Sequence, residues 1–155
     1  MILLIKRVEK PTPDARVLVE ELEADLASQY EAEQRHGLSI ERLFKPNIAF
    51  FIAYADDEPV GCGGIAFEDG HAELKRMYVR PSFRGRGVVQ AVLAQLEAEA
   101  TARGVKRVVL ETGDVQHAAI KVYERAGFAR CGAFGDYCAL PPAAIERSVF
   151  FEKLL

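Results

Sequence analysis

The segment Tyr78-Val79-Arg80-Pro81-Ser82-Phe83-Arg84-Gly85-Arg86-Gly87-Val88 separates two stretches that differ in their apolar period. Residues 72–79 before the turn are rich in β-forming types, and we expect a strand there. The apolar residues after it recur at the spacing of one helix face: Val88, Val89, Val92, Leu93, Leu96 and Ala100. A glycine-rich turn therefore leads from a strand into a helix that opens near Gly87 and is closed by Gly104.

The chain after this helix predicts a pair of parallel strands. Residues 105–111 form a short β-branched run that is typical of a buried strand. A strand, a helix and a second strand within residues 72–111 make a crossover unit, and such units are right-handed and join parallel strands.

Three β-forming segments joined by short turns precede the helix. They span residues 48–54, 60–67 and 72–79, and Asp69-Gly70 between the last two is a hairpin signal. Because short connections join antiparallel neighbours, we expect these segments to form a meander.

The N-terminal region predicts one strand and one amphipathic helix. Residues 2–8 are β-forming, and Thr12-Pro13 fits an N-cap followed by the first helical position. Apolar residues then recur every four positions, and we expect the helix to continue through them, with a break near Gly37: Leu18, Leu22, Leu26 and Tyr30.

The C-terminal third predicts a helix and a last strand. Residues 116–126 have a helical pattern, and Gly127 followed by Phe128 fits a Schellman-type stop. Residues 148–154 read as a strand. The element order is then roughly β α β β β α β α β β, which predicts one α/β domain over residues 1–155 with a mixed sheet flanked by helices.

Composition excludes several classes of protein. Half of the 155 residues are apolar and the net charge is −3, so a packed core is expected and nucleic acid is disfavoured as a partner. The three cysteines have no CxxC spacing and the histidines are scattered, so we expect free thiols and no metal. The apolar run at the N-terminus is too short for a signal sequence or a membrane span, so we expect a cytoplasmic protein.

The glycine turn has the features of an anion site. Gly85 and Gly87 let the backbone approach a ligand, and the helix N-terminus offers unpaired N–H groups. The cations near it in sequence are Lys75, Arg76, Arg80, Arg84 and Arg86. The turn lacks the GK[ST] ending of a Walker A loop. Gln90 stands where a dinucleotide-binding fingerprint has its third glycine. Two interpretations of the turn remain: a coenzyme A pyrophosphate site and an arginine-rich surface turn.

Four motifs in order carry a resemblance to a known family. They are Glu73-Leu74-Lys75-Arg76-Met77-Tyr78-Val79, Arg84-Gly85-Arg86-Gly87, Leu110-Glu111-Thr112-Gly113 and Val122-Tyr123-Glu124-Arg125-Ala126-Gly127-Phe128. In order and spacing the chain resembles the GNAT superfamily of N-acetyltransferases through residues 60–128. The resemblance implies transfer of an acetyl group from acetyl-coenzyme A to a primary amine by direct attack in a ternary complex. It also implies an antiparallel meander with a central parallel pair.

The resemblance also implies where the coenzyme binds. The loop begins with Arg84 and Gly85, and the amides of Arg86, Gly87, Val88 and Val89 would hold the pyrophosphate. Val89 stands where the family has a small residue. The backbone of the Met77-Tyr78-Val79 segment would pair with the pantetheine arm through Met77 and Val79. Gln116 stands where the family often has an asparagine that contacts the cofactor, and the residue also fits a solvated first helical turn.

Three residues are candidates for the chemistry. By resemblance, Tyr123 is the general acid that protonates the departing thiolate, although its spacing after Ile120 also fits a core aromatic. Glu73 and Glu111 are candidate bases acting through water. Glu73 fits an outward strand residue equally well, Glu111 fits a role in orienting the loop after it, and a water chain without a single base is a further alternative. A strand amide such as that of Met77 would donate to the developing oxyanion.

The break in alternation between Leu74 and Met77 predicts a β-bulge near Lys75 or Arg76, and a partly exposed strand would explain the break equally well. In the family such a bulge splays two parallel strands and admits the thioester.

Two other function classes compete with an enzyme. One is an acyl-coenzyme A sensor without turnover, and the other is a nucleic-acid binder that uses the basic cluster, which the acidic total disfavours. The acceptor would be a small-molecule or peptide amine framed by residues 18–43 and 134–145, and Tyr137 would border it. Dimers are common in the family, so a homodimer stays open.

Overall fold

The computed structural model describes residues 1–155. Its seven strands form one sheet in the order β1-β2-β3-β4-β5-β7-β6. In chain order the strands are β1 Leu3–Val8, β2 Ile48–Ala55, β3 Glu58–Glu68, β4 His71–Val79, β5 Arg107–Gly113, β6 Ala129–Cys131 and β7 Ser148–Leu154. All neighbours are antiparallel except β4 and β5, which confirms the predicted meander and the central parallel pair.

Two long helices cover opposite faces of the sheet. The four helices are α1 Pro13–Ala27, α2 Val88–Ala102, α3 His117–Arg125 and α4 Pro142–Ile145. The apolar face of α2 packs on one side of β2 with Phe51, and that of α1 packs on the other side with Phe50, as strand alternation requires. No helix has both the length and the apolar character that a bilayer crossing needs.

Helix α1 begins as predicted and ends earlier than predicted. The Thr12 hydroxyl oxygen accepts from Ala15 N at 3.2 Å, as an N-cap does. The helix ends at Ala27, ten residues before Gly37, because Ser28 turns back on the last turn and donates its hydroxyl to Asp25 O at 2.6 Å. Tyr30 is buried, but it lies in the loop after the helix and not in the helix itself. The connection to β2 contains two short 3₁₀ turns, Ala32–Gln34 and Arg42–Phe44.

Helix α3 ends in the predicted Schellman motif. Gly127 has a φ of 96°, and Phe128 N donates to Tyr123 O at 3.0 Å. The Tyr123 ring lies 5.9 Å from the Phe128 ring, and both are buried. The stop therefore fixes the position of Tyr123 against the sheet.

A β-bulge opens the sheet between β4 and β5. Arg76 has a φ of 56°, and β3 passes from its pair with Lys75 to its pair with Tyr78 across a register shift. The parallel pairing includes only Ala72 with Val108 and Glu73 with Val109, after which the two strands diverge. This confirms the predicted bulge. The later part of β4 is left without a partner on the side that faces β5.

Candidate active site

The glycine turn exposes a row of unbonded amides at the start of α2. Arg84 N donates to Pro81 O and Ala91 N donates to Gly87 O, but the amides of residues 85–90 have no intramolecular acceptor. The φ angles of Gly85 and Gly87 are 73° and 86°, and residues other than glycine rarely adopt this conformation. Six adjacent N–H groups at a helix N-terminus are suited to an anion such as a pyrophosphate.

Only part of the predicted basic cluster lies at this turn. Arg84 donates from Nε to Val79 O at 2.9 Å, and Arg86 lies over the Phe83 ring. Arg80 pairs instead with Glu21 of α1 at 2.9 Å. Lys75 and Arg76 lie at the bulge and bind other carboxylates, so their closeness to the turn in sequence does not carry over to the fold.

A channel leads from the turn along the free edge of β4. Met77, Tyr78 and Val79 line one side, and residues of α3 and α1 line the rest. The channel extends from Arg84 and Val89 to Tyr123. It is lined mostly by apolar side chains, which suits an alkyl chain with a few amide groups.

The channel continues into an inner cavity between β4 and β5. Met77, Gln116 and Tyr123 line both spaces. Glu73 and Glu111 line the inner cavity but not the channel. The fold thus brings the three predicted catalytic residues to one cavity, and it places Gln116 at the entrance with its side chain bonded to Gln29.

The inner cavity also opens away from the channel, into a wider outer groove. His36, Glu73, Lys75 and Tyr137 line both the cavity and the groove. The groove shares no residue with the channel. Two ligands can therefore approach the same space from separate sides.

Glu73 is held in a tight polar network. Tyr137 donates its hydroxyl to Glu73 Oε2 at 2.7 Å, and Lys75 Nζ lies 2.9 Å from the same oxygen. Lys75 also donates to the Tyr137 hydroxyl at 3.0 Å and to the His36 carbonyl at 3.4 Å. Burial, and after it the charge of Glu73, raises the pKa of Tyr137 far above its ordinary value, so Tyr137 stays a donor.

Glu111 has a different environment. It accepts from the Ser148 hydroxyl at 2.6 Å and has no salt-bridge partner. Burial raises the pKa of Glu111 above its ordinary value, and the Ser148 hydrogen bond opposes that rise. Burial and the charge of Glu111 also raise the pKa of Tyr123, which keeps that phenol protonated.

The connection between α1 and β2 contributes residues that the sequence did not single out. Three of them line the inner cavity: Tyr30, Arg35 and His36. The segment is pinned in place: Tyr30 accepts from Val115 N at 3.0 Å, and His36 Nε2 donates to Ala144 O at 2.7 Å. No sequence motif marks these positions. The only indication in the sequence was the expectation that residues 18–43 frame the acceptor site.

Comparisons with known proteins agree with this architecture. The model of the acetyltransferase (GNAT) family matches residues 16–128. The IAA acetyltransferase of Azospirillum brasilense is 42% identical over 150 residues, which are 95% of each chain.

Solved structures share the fold over nearly the whole chain. A structure from Klebsiella pneumoniae, named as an acyl-CoA N-acyltransferase, has a TM-score of 0.79 at 30% identity and covers 99% of this chain and 98% of its own. The PaiA N-acetyltransferase of Thermoplasma acidophilum, solved in complex with coenzyme A, has the same fold, with a TM-score of 0.73 at 17% identity over 100% of both chains. The chain belongs to the acetyltransferase (GNAT) family and is an acyltransferase.

Proposed function

We propose that this protein transfers an acetyl group from acetyl-coenzyme A to a primary amine, with both substrates bound at once. One observation carries the proposal: a channel from the turn with free amides and a separate groove meet in one cavity that is lined by a buried tyrosine and two carboxylates. Two entrances suit direct transfer, because neither substrate has to leave before the other arrives.

The residues of the turn and of β4 fit coenzyme A. The free amides of residues 85–90 match the acceptor oxygens of a pyrophosphate. Beyond the bulge, Met77 and Val79 lie on the unpaired side of β4, where their backbone groups would pair with the amides of the pantetheine arm. Gln116 would add a side-chain contact where the channel meets the inner cavity. Acetyl-coenzyme A supplies the thioester, and its acetyl end would lie beside Tyr123.

Tyr123 is the proposed general acid. Its raised pKa means that the hydroxyl carries its proton at every physiological pH, so the proton is available for the departing sulfur. The ring is fixed by Phe128 and Phe151, which holds the hydroxyl in one place. The amide of Met77, on the free edge of β4, is the proposed donor to the carbonyl oxygen.

Glu111 is the proposed base, in preference to Glu73. The Glu73 carboxylate already binds Lys75 and Tyr137, so its Oε2 is occupied by two donors and is not free to accept a proton from a water. Glu111 has one neutral donor, and burial moves its pKa toward neutrality, where a base removes protons most effectively. In this assignment Glu73 orients Tyr137 and Lys75 at the boundary between the inner cavity and the outer groove.

The acceptor is an amine on a small molecule or a peptide, which would enter from the outer groove. The groove is bordered by the loop before β7 and by the connection from α1 to β2, as expected for the acceptor side. A cytoplasmic location and a homodimer remain predictions.

The direct test is thiol release from acetyl-coenzyme A in the presence of single amines, with the acetylated product identified by mass spectrometry. We expect release that depends on both substrates and intersecting lines in double-reciprocal plots, because both substrates bind before reaction. Parallel lines would indicate a substituted-enzyme (ping-pong) mechanism and contradict direct transfer. The absence of any coenzyme A binding would contradict the assignment of the turn at residues 85–90.

A further inference from the structure

The inner cavity contains one arginine, Arg35, that shares its carboxylate partner with a second arginine, and one carboxylate, Glu111, that has no salt-bridge partner. We propose that the acceptor is an amino acid, meaning an amine that also carries a carboxylate, and that Arg35 binds this carboxylate. The inference rests on the proposed transfer reaction and adds the class of acceptor to it.

The other charges around the cavity are matched in pairs. Lys75 lies 2.9 Å from the carboxylate of Glu73, and Arg76 binds Glu23 of α1. The Arg35 Nη1 reaches that same Glu23 at 3.4 Å. Because one carboxylate serves two guanidinium groups, one positive charge is left over on this wall of the cavity.

Arg35 also has an unused hydrogen-bond donor. Its Nε is buried and has no hydrogen-bond partner, while 26% of the side-chain surface is exposed. A buried polar group without a partner is rare in native proteins. The guanidinium presents neighbouring donors in a plane, which matches the two oxygens of a carboxylate.

Glu111, which lies on β5, has no salt-bridge partner. Its one hydrogen bond is to the neutral hydroxyl of Ser148 at 2.6 Å. Arg35 and Glu111 both line the inner cavity, and neither lines the channel or the outer groove. An amino acid brings an amine to the carboxylate of Glu111 and a carboxylate to the guanidinium of Arg35, so it offers each a partner of complementary chemistry.

Two simpler occupants fit less well. A polyamine would place further positive charge beside the cations of this wall: Arg35, Lys75 and Arg76. The phosphates of coenzyme A would bind at the turn of residues 85–90, which borders the channel and not the space around Arg35.

The experiment compares amino acids with their own α-carboxamides as acceptors. L-methionine, L-phenylalanine and L-glutamate are each assayed against the amide, and spermidine serves as an amine without a carboxylate. We expect kcat/KM to be about 10- to 100-fold higher for the preferred acid than for its amide, the range for one hydrogen-bonded charge contact. Equal rates for acids and amides, or transfer to spermidine alone, would contradict the inference and leave acetyl transfer standing.

Variants then assign the preference to Arg35. In Arg35→Met the ratio of acid to amide should fall to near unity through a higher KM for the acid, with unchanged affinity for coenzyme A. Arg35→Lys keeps the positive charge and should recover part of the ratio. Arg16→Met is the matched control, because Arg16 lies on the outer side of α1 and is largely exposed. A ratio that survives in Arg35→Met would overturn the role of this residue.

A protein that binds coenzyme A and acetylates none of these amines would contradict the inference, since no carboxylate-bearing acceptor reacts. If a wider panel of amines also gave no thiol release, the proposed transfer reaction would fail with it. The two failures are therefore told apart by the amines that react.

Discussion

Replacing Glu111 with glutamine should slow the reaction and at the same time leave the protein at least as stable. The amide keeps the size of the side chain and an oxygen that can accept from Ser148, which donates at 2.6 Å. It cannot take up a proton. The substitution therefore removes the proposed base and little else.

The expected loss of activity is about 100-fold in kcat/KM, at the lower end of the range for a general base. That corresponds to about 2.7 kcal/mol of transition-state stabilisation. The lower end applies because water in the cavity can still accept the amine proton slowly. In the wild type kcat/KM should fall as pH drops through the raised pKa of Glu111, and this acid limb should be absent from the variant.

The effect on stability has the opposite sign. Burial raises the pKa of Glu111 in the folded state, so its contribution to folding is fully present below the unfolded pKa and is lost as pH rises through the folded one. Above that folded-state pKa the wild type therefore carries a buried charge that the variant lacks. The variant should there be as stable as the wild type or more stable, and the difference should shrink as the pH falls below that pKa.

The assays are thiol release across a pH series and urea unfolding at both ends of it. Glu73→Gln is the matched control, because it leaves the buried ammonium group of Lys75 without its counter-charge. We expect that variant to lose about 1–3 kcal/mol of stability. Wild-type kcat/KM in Glu111→Gln, or an unchanged acid limb, would refute the assignment of the base.

Two glycine substitutions test the turn and the support beneath the cavity. Gly87→Ala should cost about 1–2 kcal/mol of stability because of its positive φ, and it should weaken coenzyme A binding about tenfold or more. Gly70→Ala has a similar φ of 79° in a remote hairpin, so a titration should show the same strain without loss of affinity. A Cβ at Gly113 would clash with the Tyr30 hydroxyl, so Gly113→Ala should lose about 1–3 kcal/mol in urea unfolding. Gly132→Ala is its control, since nothing lies within 4 Å there, and equal stability of the two variants would contradict this packing.

Most of the fold was predictable because its signals are local. Strand spacing, the Thr12 cap and the Gly127 stop are each specified by a few neighbouring residues, and the structure has each of them. The bulge at Arg76 was predictable because Leu74 and Met77 break the alternation of apolar residues along β4. The end of α1 was misjudged because Tyr30 continues the apolar spacing from a loop after the helix has stopped.

The site was predictable only where a motif marks it. Glu73, Glu111 and Tyr123 belong to motifs of the sequence, and the fold brings them to one cavity. The contacts of Arg35 with Glu23 and of Tyr137 with Glu73 depend on how separate segments meet, and no local pattern records such contacts. The basic cluster shows the same limit, since its members separate once the bulge turns β4.

The most direct test of the account is the Tyr123→Phe variant. Thiol release and coenzyme A affinity are measured together, with Tyr54→Phe as the control because Tyr54 donates to Asp14 outside the site at 2.8 Å. We predict that kcat in Tyr123→Phe falls about 100-fold or more while coenzyme A binds as in the wild type. Wild-type turnover in this variant would contradict the proposal that Tyr123 protonates the departing thiolate.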